Sequence, residues 1–369
     1  MRGISVLIKP SSSLCNINCS YCFYKDISKN REQESYGFMT LETLENLVKK
    51  SLEFSENGVC NFIFQGGEPT LVGLAFFEKF IEFQKKYVRG NTMINNSIQT
   101  NGTLIDEKWA KFLKMNNFLV GISLDGNKKL HDRRRVNNLN EGTFEDVIRG
   151  KKYLDEHQVD YNILTVMDDY IAENIAEVYN FYRDMDIQFQ QYIPCLNSID
   201  TTLEEKQKLS NKNYLDAMKK LFDLWYQDII QNKIISIRYF ENILLLLLNG
   251  RAESCDMMGH CSVQNVIEAD GSVYPCDFYV IDRWKLGNIN TNNFQEIFNM
   301  KKSEEFVQES LIFSEKCDAC KWRKICRNGC KRYRDKNGTH IYCEEIKEFL
   351  EYSIERFIEL ANLIKNKNR

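Results

Sequence analysis

Two rhythms of apolar residues alternate along the first 200 positions: short runs of strand character, and longer stretches in which apolar residues recur every three or four places. "ISVLIKP" gives way to "LETLENLVKKSLEF", and "CNFIFQ" to "LAFFEKFIEFQKKY". "NSIQTNGT" precedes "DEKWAKFLKMN", "FLVGISLDG" precedes a polar loop and "FEDVIRGKKYLDEH", and "YNILTVM" precedes "IAENIAEVYNFYRDM". "IQFQQYIP" ends near residue 194 and leads into an amphipathic helix predicted over 203–232. Six β-then-α units predict a parallel sheet with helices outside it, open or curled into a partial barrel. In "VIEADGSVYPCDFYV", Asp270-Gly271 between alternating apolar residues predicts a hairpin, and residues 344–369 read as one terminal helix.

Chemistry in parallel sheets gathers at the C-terminal ends of strands. A cysteine loop, "GGEP", "TNG" and "SLDG" all fall at such ends, which makes them candidates for one site.

Composition narrows the setting. Hydrophobic content of 43% and charged content of 27% are ordinary for a globular protein, and a net charge of −3 gives no basic field for nucleic acid. The longest apolar run, Ile243 to Leu248, is too short to span a bilayer, so no membrane partner is expected. The N-terminus lacks the apolar core of a signal peptide. The expected location is cytoplasmic, where the 13 clustered cysteines read as metal sites or catalysts rather than disulfides.

Cys15, Cys19 and Cys22 stand as C-x3-C-x2-C near the N-terminus. Thiolates on one short loop suit zinc or an iron–sulfur cluster. Zinc with three cysteines would need a distant histidine, and none of the 4 histidines lies near this loop in sequence. In a cubane cluster, three cysteines leave one iron open to a substrate or cofactor. The spacing, with an aromatic after the last cysteine, resembles the radical S-adenosylmethionine superfamily. Gly66-Gly67-Glu68-Pro69 is similar to that family's "GGEP" motif, one strand later. The resemblance implies a 4Fe–4S cluster that binds S-adenosylmethionine and cleaves it to a 5′-deoxyadenosyl radical. It assigns cofactor contacts to Tyr21, Gly66, Gly67, Glu68, Ser123, Arg135 and Leu196. Arg133 and Arg134 compete with Arg135 for that role, and an exposed loop charge is the alternative.

Eight further cysteines fall between 255 and 343: Cys255, Cys261, Cys276, Cys317, Cys320, Cys326, Cys330 and Cys343. Two four-cysteine zinc sites would use the same number. The segment "CDACKWRKICRNGC" resembles the SPASM extension of radical S-adenosylmethionine enzymes, which carries two auxiliary 4Fe–4S clusters. That resemblance implies Cys255, Cys261, Cys276 and Cys330 for the first auxiliary cluster, and Cys317, Cys320, Cys326 and Cys343 for the second. Cys60 and Cys195 are left over and read as small buried residues.

"YPCDFYV" places Asp277 directly after a ligand cysteine. It resembles the anaerobic sulfatase-maturating enzymes, as do "LIKPSSSLCNINCSYCFY", "SIRYF" and "WKLGNI". The resemblance implies a (β/α)6 partial barrel with a cysteine-rich SPASM domain, divided as 1–235, 236–343 and a C-terminal helix 344–369. It implies three 4Fe–4S clusters, S-adenosylmethionine, a nascent or unfolded sulfatase polypeptide as substrate, and a flavodoxin or ferredoxin as electron donor. The implied reaction removes a hydrogen atom from Cβ of a cysteine or serine while Asp277 takes the thiol or hydroxyl proton. The second electron leaves through the auxiliary clusters, and the product is Cα-formylglycine, directly from serine or through a thioaldehyde and its hydrolysis from cysteine. A turn aspartate is the plain alternative for Asp277, and Tyr24, Gln65, Arg238 and Tyr239 are further candidates for the substrate channel. Two rival functions are a SPASM peptide maturase that installs crosslinks, and a non-catalytic iron–sulfur or zinc scaffold. The first often carries a leader-binding domain ahead of the cluster loop, which here starts at residue 15. The second has no use for "GGEP" or Ser123 in these places.

Overall fold

The computed structural model describes residues 3–199 and 208–367. Its frame is a sheet whose strands run β1 (Gly3–Ile8), β2 (Val59–Phe64), β3 (Met93–Thr100), β4 (Phe118–Ser123), β5 (Tyr161–Met167) and β6 (Phe189–Pro194). All five pairings between these neighbours are parallel, with Ile8 opposite Phe64 and Ile98 opposite Val120. The helices between them are α1 (Phe23–Lys29), α2 (Leu41–Phe54), α3 (Leu74–Tyr87), α4 (Glu107–Met115), α5 (Lys128–His131), α6 (Phe144–Glu156), α7 (Asp169–Glu173) and α8 (Ile175–Asp184). Sequential order with parallel pairing is the expected (β/α)6 arrangement. It is left open: β1 and β6 do not pair, and each finds another neighbour.

Alternation along the strands separates two faces. Ile4, Val6 and Ile8 of β1 and Cys60, Phe62 and Phe64 of β2 are buried against the helices. There, Phe64, Phe77, Phe80, Trp109 and Phe118 meet ring to ring. The other face is polar and half-buried. Asn61 Nδ2 donates to Ser5 Oγ at 3.0 Å, Asn95 Nδ2 to Asn61 Oδ1 at 2.8 Å, and Gln99 Nε2 to Ser123 Oγ at 3.1 Å. Apolar residues would fill this face if it were core. Amides and hydroxyls mark it as the wall of a wet cavity.

The cysteine-rich segment extends the same sheet. β7 (Ser236–Ile237) pairs with β6 and leads into α10 (Arg238–Asn249). On the other side, β8 (Val266–Ile267) adds parallel to β1, with Leu7 opposite Val266, and β9 (Ser272–Tyr274) and β10 (Gly287–Asn288) follow antiparallel. The predicted hairpin forms, with Gly271 at φ +86°.

Three expectations need correction. The helix α9 runs Asn211–Ile230, because Ser210 caps it with its hydroxyl on the Asn213 amide; residues 203–207 lie outside the described residues. The stretch predicted as one helix over "IAENIAEVYNFYRDM" is two, α7 and α8, which break at Asn174 (φ −109°). The terminal helix begins at Cys343 and is described to Lys367. Just ahead of it, Tyr342 stacks on Tyr214 of α9 at 4.2 Å, and within it Phe357 lies against Phe222 of α9 at 4.6 Å. Among the described residues, no helix is long and apolar enough to cross a membrane.

Candidate functional site

The cysteine loop lies between two other strand-end loops. The Glu68 amide donates to Leu14 O at 2.8 Å, and the amides of Asn18 and Ser20 donate to Val136 O and Arg134 O at 2.6 and 3.0 Å. Gly67 sits at φ +54°, and a Cβ there would lie 2.2 Å from Leu14 O. The close approach that glycine permits at this position is therefore to the cysteine loop itself. Glu68 is fully buried. Its Oε1 accepts from Thr70 Oγ1 at 2.6 Å and Thr100 Oγ1 at 2.7 Å, and its Oε2 from the Asn101 amide at 2.7 Å. Burial raises its pKa while these donors hold it down. Its role in the fold is to tie "GGEP" to "TNG".

Two side chains approach the loop thiols. Asn101 Nδ2 lies 3.8 Å from Cys15 Sγ, and Arg135 Nη1 lies 3.8 Å from Cys19 Sγ. Arg135 is buried, not an exposed loop charge. Its Nε donates to Asp125 Oδ2 at 2.9 Å, and the Tyr21 hydroxyl donates to the same oxygen. Its two competitors are engaged elsewhere: Arg134 pairs with Asp168 at 2.6 Å, and Arg133 lies over the Tyr170 ring at 3.8 Å. Ser123 lines the polar face, and Leu196 is buried just past β6. Burial pushes the Cys15 thiol up to about 12, with Glu68 adding to the rise, and burial also raises Cys19.

The eight later cysteines fall into two groups by which thiols raise one another. Cys276 is raised by burial and then by Cys330 and Cys255; Cys330 is raised by burial and then by Cys255 and Cys261. Cys326 is raised by burial and then by Cys343, Cys317 and Cys320. Cys317, Cys320, Cys326 and Cys343 line one small cavity together. Among the described residues, no three His, Cys, Asp or Glu side chains converge tightly enough to hold a single metal ion. Four thiolates in each set are the soft donors that an iron–sulfur cluster takes.

Asp277 opens a short 3-10 turn and is buried. Its Oδ2 accepts from the Tyr24 hydroxyl at 2.5 Å and from Gln65 Nε2 at 3.2 Å. Its Oδ1 is buried with no partner. Burial raises its pKa, against the pull of the nearby Lys9 charge. A carboxylate with one oxygen held by two donors and the other bare is arranged to accept a proton. Tyr24 and Gln65, expected near the substrate, thus meet on the aspartate. Behind them, Glu268 Oε1 pairs with Lys9 at 3.1 Å and Arg31 at 2.7 Å, all three buried. Burial opposes ionisation of Glu268, yet the two cations hold its pKa down to about 2. Arg238 and Tyr239 do not touch this group. They line a cavity of about 240 Å³ with Tyr192, Cys255, Cys330 and Tyr333. Cys60 and Cys195 are buried, at 0% and 3% exposure.

The sequence alone does not single out Asn101, Asp125, Lys9 or Glu268. "TNG" and "SLDG" were placed at strand ends, which was the available signal for Asn101 and Asp125. No local pattern marks Lys9 or Glu268, whose partners lie 259 and 237 positions away.

Residues 10–182 match the radical SAM superfamily, and residues 255–330 match an iron-sulfur cluster-binding domain called SPASM. The chain is 46% identical to a cysteine-type anaerobic sulfatase-maturating enzyme from Clostridium perfringens, across 99% of this chain and 100% of the relative. It is 30% identical to a serine-type counterpart from Bacteroides thetaiotaomicron, across 90% of this chain and 84% of that one. A solved structure of native anSMEcpe with bound AdoMet and Cp18Cys peptide superimposes with a TM-score of 0.92 at 44% identity, covering 98% of this chain and 100% of the other.

Proposed function

The chain belongs to the anaerobic sulfatase-maturating enzymes, and from that premise we propose that it converts a cysteine in a sulfatase C-x-P-x-R motif to Cα-formylglycine. It is a radical S-adenosylmethionine enzyme with three 4Fe–4S clusters. The choice of cysteine rests on the relatives: 46% identity to the cysteine-type enzyme against 30% to the serine-type.

When bound, S-adenosylmethionine and the clusters would supply hydrogen-atom abstraction from Cβ and carry away the second electron; with the thiol proton also gone, the cysteine is left as a thioaldehyde, which water hydrolyses to the aldehyde with release of hydrogen sulfide. The protein's own part is the proton. The bare Oδ1 of Asp277 accepts it from the substrate thiol, while Tyr24 and Gln65 fix Oδ2 and so aim Oδ1. The single observation that carries this role is that buried, unpartnered oxygen. Cys15, Cys19 and Cys22 would hold the cluster that meets the cofactor, with Gly66, Gly67, Tyr21, Ser123, Arg135 and Leu196 around it. Glu68 acts by joining the loops. Cys255, Cys261, Cys276 and Cys330 would hold the first auxiliary cluster, and Cys317, Cys320, Cys326 and Cys343 the second. The neighbour effects among these thiols support that division. Arg238 and Tyr239 would border the peptide's path in the larger cavity. The barrel unit would run over 1–235, the SPASM unit over 236–343 and the C-terminal helix over 344–369; the matched regions, 10–182 and 255–330, fall inside the first two. A flavodoxin or ferredoxin in the cytoplasm, where thiols stay reduced, would provide single electrons.

The test gives anaerobically reconstituted full-length protein S-adenosylmethionine, dithionite and a C-x-P-x-R peptide. A hydrazine-reactive aldehyde in the peptide is the expected product. A crosslinked peptide without aldehyde overturns the reading, and faster conversion of the serine version overturns the cysteine assignment.

A further inference from the structure

His340 lies on the wall between the two auxiliary cysteine sets and has no role in the chemistry above. It and Cys326 line both the cavity of about 240 Å³, with Cys255 and Cys330, and the smaller one, with Cys317, Cys320 and Cys343. The residue is 8% exposed. Its ring packs between Tyr333 and Tyr342, with centroids 5.8 and 5.9 Å away. Its backbone is fixed by the Asn328 side chain, whose Oδ1 accepts from the His340 amide at 3.2 Å.

The hydrogen bonds define which nitrogen carries the proton. The Tyr342 amide donates to His340 Nδ1 at 3.1 Å, so Nδ1 is an acceptor and the proton sits on Nε2. Among the described residues, no acceptor faces that Nε2–H. The two edges of the ring face different ways. Nδ1 faces Tyr342, one residue before Cys343 of the second set. The Cδ2–Nε2 edge lies against Gly329, one residue before Cys330 of the first set; a Cβ on Gly329 would fall 2.5 Å from Cδ2 and 2.8 Å from Nε2. Gly329 therefore admits the ring to this position.

Nε2 keeps some open surface, on a side chain that lines the cavity with Cys255 and Cys330, so an occupant of that cavity can accept from it. The acceptors expected here are the sulfur atoms of a cluster, inorganic or thiolate. We propose that His340 is a potential-setting residue whose Nε2–H donates to a sulfur of the auxiliary cluster held by Cys255, Cys261, Cys276 and Cys330. The proposal rests on the auxiliary-cluster reading above. A donor to sulfur stabilises the more negative, reduced cluster and so raises its potential. That would make this cluster a better acceptor for the electron leaving the substrate. His340 touches neither substrate nor reacting atoms; it acts through the cluster.

The test is a redox titration followed by electron paramagnetic resonance, on reconstituted full-length protein carrying Cys15→Ala, Cys19→Ala and Cys22→Ala so that only the auxiliary clusters contribute. His340→Phe keeps the ring between the tyrosines but removes the donor. It should lower the reduction equilibrium constant of the first auxiliary cluster about tenfold, or about 59 mV for one electron. His340→Gln restores an N–H and should recover most of that shift. His340→Leu replaces the Phe variant if that one fails to load iron. An unchanged first-cluster potential at full iron content overturns the proposal, as does a shift confined to the other cluster. Failure of the underlying reading is separate: it would show as missing iron and sulfide in the protein with His340 intact.

Discussion

Glu268→Gln removes the one negative charge that two buried cations share. Glu268 Oε1 stands 2.7 Å from Arg31 and 3.1 Å from Lys9, and all three side chains are 2% exposed or less. The carboxyl is held down to about 2 from its ordinary 4.5, first against the cost of burial and then by Lys9 and Arg31. That depression is worth roughly 3 kcal/mol, in line with the roughly 3–5 kcal/mol expected when a buried pair is broken by loss of one partner. The sign follows from the depressed pKa. The stabilisation is complete above pH 4.5 and disappears as pH falls from about 4.5 through about 2. Guanidinium unfolding of wild type and variant, anaerobic and equally loaded with iron, should show a loss of roughly 3 kcal/mol at constant slope. The loss should also be the same at pH 5.5 and pH 7.5, because both lie above the titration window. A loss under roughly 1 kcal/mol would refute the idea that Glu268 neutralises both cations. A loss that varies between those two pH values would refute a carboxylate held so low.

Asp277→Asn keeps an oxygen for Tyr24 and Gln65 but removes the proton acceptor. Formylglycine formation should fall about 100- to 10,000-fold while release of 5′-deoxyadenosine continues, and product within a few-fold of wild type would remove Asp277 from the base role. Gly67→Ala forces a Cβ to within 2.2 Å of Leu14 O at a left-handed backbone position, so the variant should bind less iron on the N-terminal loop; normal iron content and cofactor cleavage would contradict the packing argument. Asn101→Ala loses the bonds to Asn16 and Thr103 as well as the approach to Cys15, and should slow cofactor cleavage while leaving auxiliary-cluster signals intact, as measured by deoxyadenosine release. Glu68→Gln weakens the acceptor for Thr100, Thr70 and the Asn101 amide and should act on the same step.

The strands and most helices were legible because their apolar spacing is strong and local: α2 and α3 run over the same residues as the quoted runs. The cysteine loop and "GGEP" were legible because their chemistry is written in a few adjacent residues. What escaped was set by distance along the chain. The short helix that Asp168 caps ends at Asn174, whose backbone (φ −109°, ψ 20°) leaves the helical region, a change that apolar spacing does not register. The start of α9 at Asn211 depends on the Ser210 hydroxyl, which periodicity does not register. Asp277 could be placed beside a cysteine from sequence. Its pairing with Tyr24 spans 253 positions and exists only because the hairpin joins the sheet. Arg135 was chosen among three neighbouring arginines by resemblance; its burial against Asp125 is a property of the folded loop.

The pairing of β8 with β1 has a consequence for how the molecule is made. β1 takes its outer partner, Val266–Ile267, from about 260 residues downstream, so it is synthesised long before that partner. At roughly 5–20 residues per second, that edge stands open for tens of seconds during synthesis. A lone edge strand invites pairing with other chains, and a contact of such long range closes slowly. Truncation after the last barrel strand would leave that vulnerability permanent, so the barrel half is not expected to persist as a well-behaved monomer by itself. Iron delivered before the hairpin docks would meet a cysteine loop whose neighbouring base and Lys9–Glu268 pairing do not yet exist.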